Sequence, residues 1–127
     1  MEPKNLIFIM ADEHNSNFLG VTGNKYIKTP NLDSLARDGV LFNNAYTPSP
    51  LCVPARAAMA TGQHVHNISY WDGAHAYDGK IKGWAHELRD KNYNVTSIGK
   101  LHYKNWDVDT GFTETIEPMH LKDGLGD

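Results

Sequence analysis

The sequence has little of what marks disulfide-stabilised, membrane-spanning or nucleic-acid-binding proteins. Its 127 residues include one cysteine, so no disulfide can form within the chain and the redox compartment stays open. No apolar run approaches the roughly 18 residues of a transmembrane helix, and no charged-then-apolar leader opens the chain. A net charge of −3 without a basic run argues against a nucleic-acid surface. We expect no nucleic-acid or membrane partner and, as written, a cytoplasmic chain.

The chain has the size and patterning of one α/β domain. A continuous apolar run at residues 6–11, ended by two acids, predicts a central parallel strand covered on both faces. Further strands are predicted at 40–46, 95–98 and 112–116, and helices at 29–39 and 82–91. The alternation of these elements predicts an α/β fold, with a largely parallel sheet and helices on both faces.

The single cysteine lies in an informative context. Pro54 suits the first position of a helix, residues 55–60 favour helix, and Gly62 is a natural helix end. This places Cys52 at a helix N-terminus, where unpaired N–H groups and the helix dipole favour an anion. Arg56 follows one turn later, and we expect its side chain to lie close to Cys52 at the helix N-terminus. The competing interpretation is a small packed cysteine before an alanine-rich helix.

At these residues the chain resembles the type I, formylglycine-dependent sulfatases, closest in wording to bacterial choline-sulfatase-like and arylsulfatase-like members. The family signature is Cys-x-Pro-(Ser/Ala)-Arg, then four residues and Thr-Gly, and the matching residues are Cys52, Pro54, Ala55, Arg56, Thr61 and Gly62. The resemblance implies an alkaline-phosphatase-like architecture and hydrolysis of sulfuric esters. It also implies that a formylglycine-generating enzyme oxidises Cys52 to an aldehyde. The resemblance implies that one hydroxyl of the hydrated aldehyde attacks sulfur and displaces the alcohol of the ester. The second hydroxyl then loses its proton, the C–O bond to sulfate breaks, and the aldehyde is regenerated.

A second motif of the same family follows the strand predicted at 95–98. The family's Gly-Lys-x-His is present as Gly99, Lys100, Leu101 and His102. In an extended chain, Lys100 and His102 project the same way from the strand's carboxyl end. The resemblance implies that the lysine offsets charge on the sulfate and that the histidine moves a proton or holds the diol. The alternative is a surface lysine and histidine. The predicted catalytic residues are therefore Cys52, Arg56, Lys100 and His102.

Two acids end the first predicted strand, at the edge of the sheet where ligands gather. The resemblance implies a divalent cation here, calcium in most members, with magnesium or manganese as alternatives. Its predicted ligands are Asp12, Glu13 and the residue derived from Cys52. Glu13 departs from the family's usual aspartate or amide, and it can join Asp12 only if the chain bends, because adjacent strand residues point to opposite faces. Otherwise it is a solvated carboxylate.

A weaker substrate-pocket prediction concerns His14, Trp71 and Asp72. An aromatic ring beside an acid suits a cationic alcohol group. The alternative for His14 is a loop histidine without a role. The alternative for Trp71 and Asp72 is a tryptophan packed in the core next to an aspartate that stabilises a turn. For His64 and His66 we favour structural roles, because no cysteine or acid with zinc-like spacing accompanies them.

Sulfatases of this type are several times longer, and their later motifs are missing here. Those motifs complete the metal site and add another histidine and lysine. Residues 1–127 are thus expected to be the N-terminal part of a sulfatase catalytic domain. Alone they should be an inefficient catalyst, because a metal supplies several kcal/mol of transition-state stabilisation. The helix dipole supplies only about 0.3–1 kcal/mol and cannot replace it.

Three further expectations stay open. If the chain is stable, we expect it to self-associate through the surface that the missing part would cover. One alternative function is a phosphonate or phosphate monoester hydrolase of the same superfamily, against which Lys100 and His102 argue. The other is a non-catalytic fragment or degenerate relative, which predicts an unmodified Cys52.

Overall fold

The computed structural model describes residues 5–121. The chain divides into two compact units, Met1–Ala45 and Tyr46–Asp127, each of which is treated by itself. A short 3₁₀ turn and α1 lie in the first unit, and α2 to α4, β1 and β2 lie in the second. Their bounds are Ser16–Phe18 for the 3₁₀ turn, Pro30–Asp38 for α1, Cys52–Thr61 for α2, Val65–Ile68 for α3, Trp84–Asp90 for α4, Thr96–Lys100 for β1 and Glu114–Met119 for β2. Within residues 5–121, no helix is long and apolar enough to cross a membrane.

In the first unit, the helix predicted at 29–39 is confirmed as α1. Pro30 occupies its first turn, where a missing N–H costs nothing. Thr29 makes no side-chain capping bond to the helix backbone. Its hydroxyl instead accepts a hydrogen bond from Gly20 N and donates one to Asp33 Oδ1, both at 2.8 Å. These bonds tie the start of α1 to the preceding loop.

The central strand predicted at 6–11 is wrong, as is the strand predicted at 40–46. Both segments are irregular in the structure. Leu6 and Ile9 expose 83% and 85% of their surface, which is the opposite of a strand covered on both faces. A strand forms only where another strand satisfies its N–H and C=O groups, and among residues 5–45 no strand is present.

In the second unit, the strands predicted at 95–98 and 112–116 are confirmed as β1 and β2, each displaced toward higher numbers. They pair in parallel, with Ile98 opposite Ile116. A parallel pair requires a crossover connection and belongs to the α/β class. The α/β prediction is therefore confirmed, with a sheet of two strands in the described part of the chain.

The core of the second unit forms around α2. Its small buried side chains, Ala57, Ala58 and Ala60, pack with residues from the following loops and helices: Val65, Ile68, Tyr77 and Tyr103. The helix predicted at 82–91 is confirmed as α4, which begins after Gly83. A Cβ at Gly83 would collide with the Ala60 carbonyl oxygen. Glycine at this position thus lets the start of α4 lie directly against the end of α2.

Candidate active site

Cys52 is the first residue of α2, as the sequence predicted. Leu51 caps the helix in an extended conformation, and the first hydrogen bond runs from Ala55 N to Leu51 O at 3.1 Å. Pro54 is the third helical residue rather than the first. This difference carries no penalty, because the N–H groups of the first helical turn have no partner within the helix.

Cys52 is exposed, whereas the next two residues, Val53 and Pro54, are buried. The interpretation as a packed cysteine is therefore wrong. Gly62 ends the helix in the left-handed conformation, with φ of 68° and its N–H donated to Ala58 O at 2.8 Å. The burial of the helix body and the defined caps hold the exposed thiol on a rigid element.

Arg56 is 5% exposed and connects α2 to the end of β1. Its Nη1 donates to the backbone carbonyl of Lys100 at 2.5 Å. The structure thus places the first turn of α2 beside the second predicted motif. Tyr103 lies nearby, and burial raises the pKa of its hydroxyl well above the ordinary value, although the charge of Arg56 opposes that shift. The expected contact of Arg56 with the nucleophile stays a prediction.

Lys100 is the last residue of β1 and lies at the strand's carboxyl end, as predicted. The chain does not continue in an extended form. Gly99 has φ of 84° and His102 has φ of 57°, so the prediction that Lys100 and His102 project the same way from an extended chain loses its premise. The His102 N–H donates to Met119 O at 2.7 Å. The pairing with β2 therefore holds His102 in a left-handed conformation that an isolated strand would not adopt.

The predicted carboxylate ligands lie in the first unit, after an irregular segment rather than a strand. Glu13 has φ of 57°, so the chain turns at this residue. This turn is the bend that a joint role of Glu13 and Asp12 required. His14 is exposed on the loop that follows.

A complete metal site is not formed within the described residues. Among residues 5–121, no three His, Cys, Asp or Glu side chains lie together in a way that would hold a metal ion. Calcium takes about six to eight oxygen ligands. The described residues alone do not complete such a ligand set, so we derive no chemical step through a metal.

Trp71 and Asp72 lie on an exposed loop of the second unit. Trp71 is 57% exposed, so the interpretation as a packed tryptophan is wrong. Asp72 accepts hydrogen bonds from the N–H groups of Ala74 and His75, both at 2.9 Å, which confirms the turn aspartate. The hydrogen bond from the His75 ring also lowers the pKa of Asp72. Asp72 therefore remains anionic beside an exposed aromatic ring.

The rings of His64 and His66 stack in parallel, with centroids 5.4 Å apart and planes 9° apart. A histidine binds metal through a ring nitrogen whose lone pair lies in the ring plane. Parallel stacked rings do not direct these lone pairs to a common point. The geometry agrees with structural roles for this pair.

The end of β2 supports the site, and sequence reasoning missed it. Met119 accepts the His102 N–H, and Leu121 N donates to Tyr103 O at 3.0 Å. Leu121 also belongs to a small buried cluster with Val53 and Ala76. The one sequence signal was Pro118, two residues beyond the strand predicted at 112–116, since proline in or next to a strand often marks an irregularity.

Comparison with known proteins agrees with the motifs and the geometry. The family model described as Sulfatase matches residues 4–125. A choline-sulfatase of Rhizobium meliloti is 36% identical over 112 residues, which cover 88% of this chain and 22% of that protein. An arylsulfatase of Clostridium perfringens is 42% identical over 106 residues, which cover 80% of this chain and 21% of that protein. An N-acetylglucosamine-6-O-sulfatase of Bacteroides thetaiotaomicron is 31% identical over 130 residues, covering 94% and 23%. The chain thus spans less than a quarter of the length of each of these relatives.

Proposed function

Because this chain belongs to the sulfatase family, we propose that it serves the hydrolysis of sulfuric esters, with residues 1–127 as the N-terminal part of the catalytic domain. The observation that carries the proposal is Cys52, which is exposed at the first position of a ten-residue helix within the family match. The share of each relative that the chain covers, 22% for the choline-sulfatase, supports its being one part of such a domain.

The nucleophile in this proposal comes from Cys52. When oxidised to formylglycine, this residue supplies a hydrated aldehyde in place of the thiol. Its exposure gives a formylglycine-generating enzyme access to the side chain. The unpaired N–H groups of the first turn of α2 favour negative charge beside it. A sulfate ester is thereby attracted to the same end of the helix.

Lys100, His102 and Arg56 have the other catalytic roles that we propose. The Lys100 ammonium offsets the charge on the sulfate oxygens, and a ring nitrogen of His102 moves the proton. Arg56 supports this arrangement through its bond to the Lys100 carbonyl. The charge of Arg56 also adds to the positive field around the first turn of α2.

The proposed metal ligands in the first unit are the carboxylates of Asp12 and Glu13, and the turn at Glu13 supports their joint role. Ligation by the residue derived from Cys52 stays a prediction. Calcium is the proposed ion, with magnesium and manganese as alternatives. Because the described residues do not form a three-ligand group, the remaining ligands would have to come from elsewhere.

For the substrate, we propose a small sulfate ester that contacts Trp71 and Asp72, while the substrate contact predicted for His14 stays a prediction. The exposed Trp71 ring and the anionic Asp72 carboxylate suit a cationic alcohol group. The relative from Rhizobium meliloti is named a choline-sulfatase, which supports testing a quaternary ammonium ester first. A sulfatase should hydrolyse an aryl sulfate faster than an aryl phosphonate. The alternative, a phosphonate or phosphate ester hydrolase, predicts faster hydrolysis of the aryl phosphonate.

Residues 1–127 alone are proposed to be a poor catalyst, or a non-catalytic fragment. The incomplete set of metal ligands among the described residues supports this.

We also propose that the isolated chain self-associates through the apolar segment at residues 6–10, because its members are 41–85% exposed. Analytical ultracentrifugation of wild type and of an Ile7→Lys, Ile9→Lys variant tests this, and a monomeric wild type would contradict it.

The deciding experiment is coexpression with a formylglycine-generating enzyme, followed by mass spectrometry of the Cys52 peptide and assays with aryl sulfate and aryl phosphonate esters. The full-length polypeptide that the gene encodes should be used, because residues 1–127 alone are proposed to be a poor catalyst. We expect an aldehyde at Cys52, sulfatase activity, and loss of that activity in Cys52→Ala and His102→Ala. His66→Ala, a histidine with no proposed catalytic role, is the matched control and should retain activity. An unmodified thiol without turnover would favour the degenerate relative.

A further inference from the structure

β2 contains one residue more than the strand segment that it pairs with. Ile98 lies opposite Ile116, and the next pair along the strands is Lys100 opposite Met119. Two steps along β1 therefore correspond to three steps along β2. The surplus residue lies at Glu117–Pro118, which makes this end of the sheet a β-bulge.

The backbone at the bulge adopts an uncommon conformation. Glu117 has φ of 46°, and Gly99 on the facing strand has φ of 84°. Glycine takes positive φ readily, whereas a residue with a Cβ rarely does. Pro118 follows, is buried, and has no N–H to pair. The irregularity thus coincides with a left-handed residue on each of the two strands.

The bulge sets where the rest of β2 meets the second motif. Beyond it, Met119 O accepts the His102 N–H at 2.7 Å, and Leu121 N donates to Tyr103 O at 3.0 Å. His102 itself has φ of 57°. A residue in this conformation stays there only when its surroundings hold it, and these two bonds provide that support.

The residues that directly follow β2 also reach the helix that carries Cys52. Leu121 is 9% exposed and packs with Val53, the neighbour of Cys52. Without the surplus residue, pairing would shift by one position and turn each following side chain to the other face of the sheet. Leu121 would then leave Val53, and Met119 would leave His102.

We propose that Glu117 is a positioning residue for the sulfatase reaction, because its left-handed backbone closes the bulge that seats residues 119–121 against both His102 and Val53. The catalytic meaning of this role rests on the proposed function. The Glu117 side chain is exposed, so its contribution is the backbone conformation and not a contact with substrate.

The test compares substitutions that favour and disfavour positive φ. Valine is β-branched and resists this region, whereas glycine and asparagine enter it readily. In the matured enzyme, Glu117→Val should lower kcat by about tenfold through misplacement of His102, with little change in KM. Glu117→Gly should retain the wild-type kcat. Glu114→Val, at a regular position of the same strand, is the matched control and should retain it also.

A second readout does not depend on activity. Amide hydrogen exchange at His102 and Leu121 should be faster in Glu117→Val than in wild type, and unchanged in Glu114→Val. If Glu117→Val does not fold, Glu117→Asn replaces it and should slow exchange at His102. The proposal would be overturned if Glu117→Val and Glu117→Gly had the same amide exchange rates at His102 and Leu121 and the same kcat. It would also be overturned if His102 exchanged faster in Glu117→Asn than in wild type. A wild type without sulfatase activity would contradict the proposed function, while the exchange data would still decide the role of Glu117.

Discussion

The two units of the chain differ sharply in what they bury. Among residues 5–45 no residue is buried, and Leu6 and Ile9 expose 83% and 85% of their surface. In the second unit, Tyr77 and Tyr103 expose 1% and 2%. The longest apolar run of the sequence thus lies in the unit whose described residues, 5–45, include no buried one. Hydrophobicity creates a tendency to be buried, but burial requires a partner.

The second unit contains those partners. β1 has β2 beside it, and α2 has α4 against its end through the close approach at Gly83. In the first unit, α1 is present, and no strand is described that would pair with the apolar run. The predictions below test this contrast, from the largest expected effect to the smallest.

Separated fragments should show the greatest difference. We expect residues 46–127 to unfold cooperatively on heating and residues 1–45 to show no cooperative transition, because the first unit has no buried residue among those described. Circular dichroism against temperature measures both. A sharp transition in the shorter fragment would mean that the contrast is wrong.

Two aromatic truncations compare the units within one chain. Tyr103→Ala should lower the free energy of unfolding by about 3–5 kcal/mol, because it empties a buried site. Phe8→Ala, at a side chain 62% exposed, should change it by less than about 0.5 kcal/mol. Urea denaturation provides both values. Tyr103→Phe is the control, since it keeps the ring that packs edge-on against Tyr77 at 4.9 Å.

Two left-handed glycines make a smaller comparison. At Gly79, with φ of 75°, a Cβ would collide with the carbonyl oxygen of Asp109, whereas at Gly23, with φ of 100°, it would meet open space. Gly79→Ala should destabilise the second unit by about 1–2 kcal/mol from its backbone conformation and further through the collision. Gly23→Ala also strains the backbone, but it lies in the first unit, where no described residue is buried, so the unfolding midpoint of the second unit should not change. Similar shifts in both variants would show that the first unit shares the cooperative core.

The smallest effect concerns acid stability. Arg89 bonds both carboxylate oxygens of Asp109, at 2.6 and 2.7 Å, and this lowers the pKa of Asp109 below its ordinary 3.8. Because the folded-state pKa is depressed, the stabilisation is present above about pH 3.8 and is lost as pH falls through the lower folded value. The melting temperature of Asp109→Asn should therefore fall less steeply with acid than that of wild type. Asp107→Asn, a nearby exposed aspartate, should behave like wild type.

Sequence reasoning recovered the elements whose signals are local. α1, α2 and α4 were predicted within a few residues, as were β1 and β2. The strand predicted at 6–11 failed because an apolar run does not encode its partner. At the candidate site, the positions of Cys52 and Lys100 on their elements were predicted. The left-handed His102 was not, because its conformation depends on a hydrogen bond to Met119.

What the sequence alone determined is the family and the helix that presents Cys52. Prolines, alanines and a terminal glycine act within a few residues, and each helical hydrogen bond joins positions four apart. What only the tertiary structure decided is the link from Arg56 to Lys100, the bulge at Glu117 and the exposure of residues 6–10. These features join or separate residues that are distant along the chain. A strand or a bulge has no local hydrogen bonds that would specify it before its neighbour is in place.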